Sequence, residues 1–295
     1  RMGLDNRFLS NIANRAKQNP QRVVFGEADN PKVLKAAHVA REEGSCIPIL
    51  LGFEDQIRST IDELGLNLGD CTIIDPSRSP ELIDQYGKLY YEKRQRKGLT
   101  LHQAVKKMRQ RTYFGAMMVE LGQADAFISG QNSNYPDTIR PALEIIGKTD
   151  GVTKVAGMYI IMSKQGPLFF ADTTVNIAPT SDELVDIVKL THRMVTNLQI
   201  KPRIAMLSYS NFGSAKGTTP SNIRTALAKL NRENPEILVD GEMQANTALN
   251  ADLRQELFPF SKLGNENANV FIFPDLNSGN IAYKMVQSLG ISEAI

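Results

Sequence analysis

The sequence predicts an α/β protein built on a mainly parallel, doubly wound sheet, and three observations predict it. Short uncharged runs, VVF at 23–25, TII at 72–74 and VFIF at 270–273, alternate with longer stretches of helical spacing. Most of those runs end in polar turns bearing glycine or proline, the punctuation of a strand that hands over to a helix. A chain of 295 residues, 42% hydrophobic and 22% charged, is long enough for two cores rather than one.

In the first half, strand 23–25 runs into Gly26-Glu27-Ala28-Asp29-Asn30, and Pro31 opens a helix at the position where a missing N–H costs nothing. A strand at 47–51, a helix at 55–64 ended by Gly65, and a strand at 72–74 follow. The spacing then predicts a long helix over 80–97 stopped by Gly98, and a second helix to about Arg111 from the capping-box pattern Thr100 to Gln103. Residues 113–121 read as apolar helix, 124–129 as strand, and Pro141 as the start of a further helix.

The pattern changes after Gly147. Two strands, 155–162 and 168–173, are separated by a turn at 163–167 and suit an antiparallel hairpin. Thr180 and Glu183 form another capping-box pattern before a helix at 184–198. Strands at 204–207 and 237–239, a helix from Thr219 to about Leu230, and the terminal strand and helix after Val270 complete the chain. Ile281, Met285, Val286 and Leu289 are spaced to cover one face of that last helix. The expected domains are 1–147 and 148–290.

Composition excludes several classes. A net charge of +2, from 34 basic and 32 acidic residues, lacks the basic excess of a nucleic-acid protein. No apolar run approaches a membrane span, and no signal peptide is visible. Two cysteines, Cys46 and Cys71, lie in or beside apolar runs and fit burial in a reducing, cytoplasmic compartment. With His38, His102 and His192 scattered, local spacing assembles no metal site.

Four polar loops stand at predicted strand ends: 129–133 (SGQNS), 208–217 (SYSNFGSAKG), 240–244 (DGEMQ) and 274–284 (PDLNSGNIAYK). Parallel topology would gather them on one edge, where open α/β sheets bind ligands. Small residues and free N–H groups at helix starts suit phosphate. Arg140, just before Pro141 at an apparent helix start, sits against the helix dipole and so reads as an anion ligand. No nucleophile elbow, Walker lysine or dinucleotide glycine motif is present.

Taken together, FPDLNSGNIAYK, LSYSNFGSAKG, DGEMQ, the SG after ADAFI, and DTIRPALEII resemble the phosphate acetyltransferase and butyryltransferase family, in order and over essentially the whole chain. The resemblance implies transfer of an acyl group between coenzyme A and phosphate. It implies two α/β/α three-layer domains with a cleft between them, isocitrate/isopropylmalate dehydrogenase-like, the extreme C-terminus returning to the first domain and the second domain forming a homodimer or higher homo-oligomer. Arg94 and Arg140 match the family arginines that hold coenzyme A or phosphate. The loops add Ser129, Gly130, Ser208, Ser210, Gly213, Ser214, Asn277, Gly279 and Asn280 as candidate ligand-binding residues. The family's catalytic serine–arginine pair is expected beyond Ile295.

One departure matters: Phe212 stands where active transferases carry a lysine. With the non-initiator Arg1, it makes the chain resemble the C-terminal transferase-like domain of bacterial NADP-dependent malic enzyme. On that expectation the domain binds acetyl-coenzyme A for regulation and assembly, partnered by its own malic-enzyme domain upstream, where NADP and a divalent metal would sit. No cofactor is expected in this segment. The alternative is a competent phosphate acetyl- or butyryltransferase.

Overall fold

The computed structural model describes residues 5–132, 134–148, 152–164, 166–289 and 293–294. The chain divides into two compact units, Ser10–Gly147 and Lys148–Ile295, the second joined by the chain up to Leu9. The sequence reading leaves out the first helix, α1 (Asp5–Gln18). Its Phe8 ring meets Phe169 edge-on, with centroids 6.4 Å apart, which fixes the start of α1 to the second unit.

The N-terminal unit then alternates strand and helix: β1 (Gln21–Phe25), α2 (Pro31–Glu42), β2 (Cys46–Leu51), α3 (Glu54–Leu64), β3 (Thr72–Ile74), α4 (Pro80–Arg94), α5 (Leu101–Met108), α6 (Arg111–Glu120), β4 (Ala126–Ile128) and α7 (Tyr135–Ile145). The strands form one parallel sheet, order β3-β2-β1-β4. Strand alternation decides the two faces. Val24, Ile49 and Leu51 join Tyr86, Tyr90, Met108, Phe114 and Met117 in a core that α4, α5 and α6 cover. Phe25 and Leu50, one residue out of step, point the other way, to Leu34 and Ala37 of α2 and Ile57 of α3.

Local chemistry sets most boundaries. Asn30 caps α2 by accepting from the Lys32 N–H at 2.9 Å, and the Thr100/Gln103 capping box forms as expected. Gly98 closes the turn after α4 at φ 83°, left-handed backbone that suits glycine. Helix α7 corrects the reading of Pro141. Asn134 accepts from the Asp137 N–H at 3.1 Å, and Pro136 supplies the first turn, so the helix starts well before Pro141. Arg140 therefore lies inside the helix, and no argument from the dipole at a helix start applies to it.

The C-terminal unit holds β5 (Met158–Ser163), β6 (Gly166–Ala171), α8 (Ser181–Asn197), β7 (Ile204–Leu207), α9 (Thr218–Glu233), β8 (Val239–Met243), α10 (Ala245–Leu249), α11 (Ala251–Leu257), β9 (Val270–Ile272), α12 (Leu276–Ser288) and β10 (Glu293–Ala294). Its sheet is mixed, order β10-β5-β6-β9-β7-β8. The β5–β6 hairpin is antiparallel as expected, with Ser163 opposite Gly166; Gln165 of its turn lies outside the described residues. Strands β6, β9, β7 and β8 run parallel. The end of the chain was expected to return to the first domain, but Glu293 and Ala294 pair antiparallel with β5 in this second sheet. The apolar stripe of α12 also differs: Ile281, Met285 and Leu289 are exposed, while Gly279 and Tyr283 face inward.

Candidate functional site

The expected loops divide between the units: 129–132 follows β4 in the N-terminal unit, while 208–217, 244 and 274–280 follow strands of the C-terminal unit. In the N-terminal unit the ends of α4, α5 and α7 frame a hollow of about 460 Å³ lined by Tyr90, Arg94, Lys97, Lys106, Lys107 and Glu144. Each cation has a local reason to be there. Arg94 ends α4, Lys97 ends the short turn after it, and Lys106 and Lys107 fill the last turn of α5, where positive charge complements the dipole. Their convergence gives four cations against one carboxylate among these lining residues.

That carboxylate is tightly held. Tyr90 Oη donates to Glu144 Oε2 at 2.5 Å, Tyr113 Oη at 2.8 Å and Lys107 Nζ at 3.3 Å. Arg94 Nη2 stands 3.6 Å from Oε1. Burial pushes the Glu144 carboxyl up, but the two phenols and Lys107 outweigh it and hold it below the usual carboxylate range. Burial, then the negative Glu144, pushes Tyr90 well above the usual phenol range, so both tyrosines stay donors.

A neighbouring hollow of about 620 Å³ in the same unit takes in Glu27, Lys107, Tyr113, Ser129, Asn132 and Arg140. Lys107 and Gln110 line both hollows, so Arg94 and Arg140 face adjoining spaces. Arg140 is exposed and pairs with Asp137 at 3.6 Å. The loop N–H groups here are already taken. Gly130 N and Gln131 N donate to Glu27 Oε2 at 3.0 and 3.2 Å, and Asn132 N to Oε1 at 3.2 Å. The nest at 130–132 thus holds the protein's own carboxylate, while Ser129 keeps its place on the hollow wall; Ser133 lies outside the described residues.

The C-terminal unit repeats this arrangement. Buried Glu242 accepts, at Oε1, from Ser210 Oγ at 2.8 Å, Gly213 N at 2.8 Å and Arg224 Nη1 at 2.9 Å. Ser214 Oγ accepts from Asn211 N at 2.9 Å, and Ser208 Oγ from Ser210 N at 3.3 Å. Phe212 turns at φ 46° and packs against Phe258 and Phe260, each ring centroid 5.0 Å away. The residue in the lysine position is thus part of an aromatic cluster. In the 274–280 segment Asn277 is exposed. A Cβ on Gly279 would lie 2.4 Å from the Asp172 carbonyl oxygen, and Asn280 Nδ2 donates to Thr173 O at 3.2 Å. Gly279 and Asn280 thus fasten α12 to the turn after β6. Asp172 shapes that turn by accepting from Gly157, Thr174, Val175 and Asn176 N–H groups at 2.8–3.1 Å.

Among the described residues no group of three His, Cys, Asp or Glu side chains could hold a metal ion, and no helix is long and apolar enough to cross a membrane. Sequence reasoning missed Lys107, Glu144, Tyr90 and Tyr113. The paired lysines at the end of a capped helix were a usable signal; Glu144, an ordinary helix carboxylate in the sequence, offered none.

The architecture is that of a two-unit α/β protein whose N-terminal unit carries a polybasic hollow, and positive charge of that density suits an anion. The sequence matches the phosphate acetyl/butaryl transferase description over residues 7–295, and the chain belongs to that family. It is 37% identical to the phosphate acetyltransferase of Thermoanaerobacterium thermosaccharolyticum, over 98% of this chain and 89% of that protein. Among solved structures it resembles a phosphotransacetylase from Streptococcus pyogenes (TM-score 0.90, 33% identity, 99% of this chain and 88% of that one). It also resembles the EutD phosphotransacetylase from Staphylococcus aureus (TM-score 0.89, 30% identity, 100% and 89%).

These likenesses overturn the malic-enzyme reading. The match takes up nearly all of an acyltransferase relative, leaving it no room for a malic-enzyme domain. The oxidoreductase activity, NADP, the upstream metal and the malic-enzyme partner are withdrawn with it. The Phe212 departure that prompted them is a packing substitution in this structure.

Proposed function

We propose that this protein is a phosphate acetyltransferase, moving an acetyl group between coenzyme A and phosphate. The observation that carries the reading is the hollow of Arg94, Lys97, Lys106 and Lys107 in a chain of this family. In one direction the coenzyme A thiolate attacks the carbonyl carbon of acetyl phosphate. The C–S bond forms, the carbonyl oxygen briefly carries the negative charge, and the C–O bond to phosphate breaks with phosphate leaving. Donors placed at the developing oxyanion lower that barrier. Arg94, Lys97, Lys106 and Lys107 are assigned to the phosphate groups of coenzyme A, with Arg140 and Ser129 on the adjoining wall. Planar guanidinium groups suit two-point contact with phosphate oxygens. Of the loop residues, Ser208 and Ser214 stay in the proposed set at the rim of their loop, while Gly213, whose N–H is given to Glu242, supports that loop. Ser210, Asn277, Gly279 and Asn280 enter it as supports of the loops that carry it.

The reaction as proposed uses no resident cofactor. The isocitrate/isopropylmalate dehydrogenase-like kinship of the fold, a homodimer formed through the C-terminal unit, and a cytoplasmic site of action belong to the same proposal. The test is conversion of acetyl phosphate and coenzyme A to acetyl-coenzyme A, followed by thioester absorbance. It is run on the purified protein. Arg94→Ala should raise the KM for coenzyme A about tenfold or more, the loss of roughly one charge-assisted contact. No coenzyme A–dependent loss of acetyl phosphate in the wild type would refute the assignment.

A further inference from the structure

We propose that Glu144 is the positioning residue of the basic hollow, holding the Arg94 guanidinium in the orientation that meets the phosphate oxygens of the ligand, while Lys107, its three donors shared among Glu144, Tyr90 and Tyr113, adds fixed positive charge beside it. The inference rests on reading that hollow as the coenzyme A pocket. A carboxylate among the cations of an anion site works against binding by charge alone, so its presence needs a reason, and the geometry supplies one.

Glu144 is the hub of three helix ends. It reaches Arg94 from α4 and Lys107 from α5 with one oxygen each, at 3.6 and 3.3 Å, from its own place near the end of α7. Tyr90 and Tyr113, both buried and in ring contact at 5.5 Å, fix the carboxylate from the core side. No other described residue bonds the Arg94 side chain, so apart from Glu144 its donors are free for a ligand. Lys107, whose flexible four-carbon stem would otherwise sample many rotamers, is pinned. Its Nζ lies 3.3 Å from Tyr90 Oη and 3.1 Å from Tyr113 Oη, and 4.8 Å from the centre of the Tyr113 ring. Ordering long cationic side chains before binding removes an entropic cost that each would otherwise incur on meeting phosphate.

Charge and positioning predict opposite signs, which makes the idea testable. Glu144→Gln keeps the size and the acceptor oxygen but deletes the negative charge that grips both cations. If Glu144 acted only through its field, the variant would bind coenzyme A more tightly. As a positioning residue its loss weakens binding about tenfold, the equivalent of one misplaced charged contact. Tyr113→Phe leaves the charge in place but frees the carboxylate to move, and should weaken binding about threefold.

The experiment is calorimetric titration of coenzyme A into the purified protein as wild type, Glu144→Gln, Tyr113→Phe and Arg94→Ala, with Tm as a control for folding. In turnover, both positioning variants should raise the KM for coenzyme A and leave kcat within about twofold. Unchanged or tighter binding by Glu144→Gln, with Arg94→Ala still weakened, overturns the positioning role and leaves the pocket standing. Unchanged binding by Arg94→Ala removes the pocket itself, and the role of Glu144 with it.

Discussion

Glu27→Ala is the substitution that most directly tests how the strand-end loops are built. In the wild type, three backbone N–H groups of 130–132 donate to that carboxylate at 3.0, 3.2 and 3.2 Å. A hydrogen bond to a charged partner is worth ~1.5–3 kcal/mol when that partner is lost. Gly130, Gln131 and Asn132 are exposed on their other sides, so water can reach the freed N–H groups, and the lower end applies to each. The three do not add fully, because one loop movement resolvates all of them. The working figure is about 3 kcal/mol for the N-terminal unit, a fall of about 10 °C in the melting of a unit this size. The chain has no tryptophan, so unfolding is followed by far-ultraviolet circular dichroism in urea and by scanning calorimetry. Removing the side chain also vacates a space shaped for a carboxylate. Formate or acetate, added at high concentration, should restore part of the loss in Glu27→Ala and do nothing for the wild type. A loss under about 0.5 kcal/mol, the range of an ordinary surface change, together with no response to formate, would refute the view that an internal anion organises this loop.

Gly279→Ala should destabilise the C-terminal unit by about 2 kcal/mol despite alanine's better helix propensity, because the new methyl meets the Asp172 carbonyl rather than a movable side chain; an unshifted calorimetric transition would show that the approach is looser than it stands here. The pH dependence follows from the Glu144 cluster. Glu144 is held below its ordinary range, so its stabilising effect is present above that range and is lost as pH falls through the depressed value; Glu144→Gln should flatten the acid side of the stability profile. Tyr90 and Tyr113 are raised, so their contribution is intact below the usual phenol value of about 10 and is lost only as pH climbs through the higher folded values. Tyr86, raised chiefly by burial, behaves likewise. A spectrophotometric titration should show a late tyrosine phase that shrinks in the Tyr90→Phe and Tyr113→Phe variants.

Much of the fold was legible because its signals are local. Uncharged runs such as IAML at 204–207 are buried whatever lies around them, and β7 covers that run end to end. The two capping boxes formed because a threonine three residues before a Glu or Gln satisfies both free N–H groups without help from elsewhere. What stayed hidden depended on tertiary partners. The ANTAL helix needs the sheet face behind it, where Ala248 packs against Leu207, Met243 and Leu263. Pro141 read as a helix start because proline usually is one; the competing start at Asn134 and Pro136 won. In the site, arginines and small loop residues were visible as types, but their partners were not. Nothing in the sequence around Glu27 or Glu242 says that these carboxylates turn into the loops of other strands.

That concealment bears on how this family's loops should be read. Glycine and serine at a strand end let N–H groups converge, and the usual inference is a phosphate cradle. Here two such loops meet a carboxylate of the chain itself, Glu27 at 130–132 and Glu242 at Ser210 and Gly213, and a third carboxylate, Asp172, gathers the N–H groups of 174–176 in the same way. Each neutralises the electropositive nest before any ligand arrives, so these loops are set in shape but spent as anion receptors. A ligand with several phosphate charges must then be met by side chains, and the cations that line the hollow at the ends of α4 and α5 are the groups placed to do it. Side-chain cations in a wide hollow are screened by salt as buried N–H nests are not. The division of labour is therefore physical: buried carboxylates give the loops their geometry, and cations at helix ends give the hollow its charge. Glu144 is the point where the two systems touch, a carboxylate that organises cations rather than backbone.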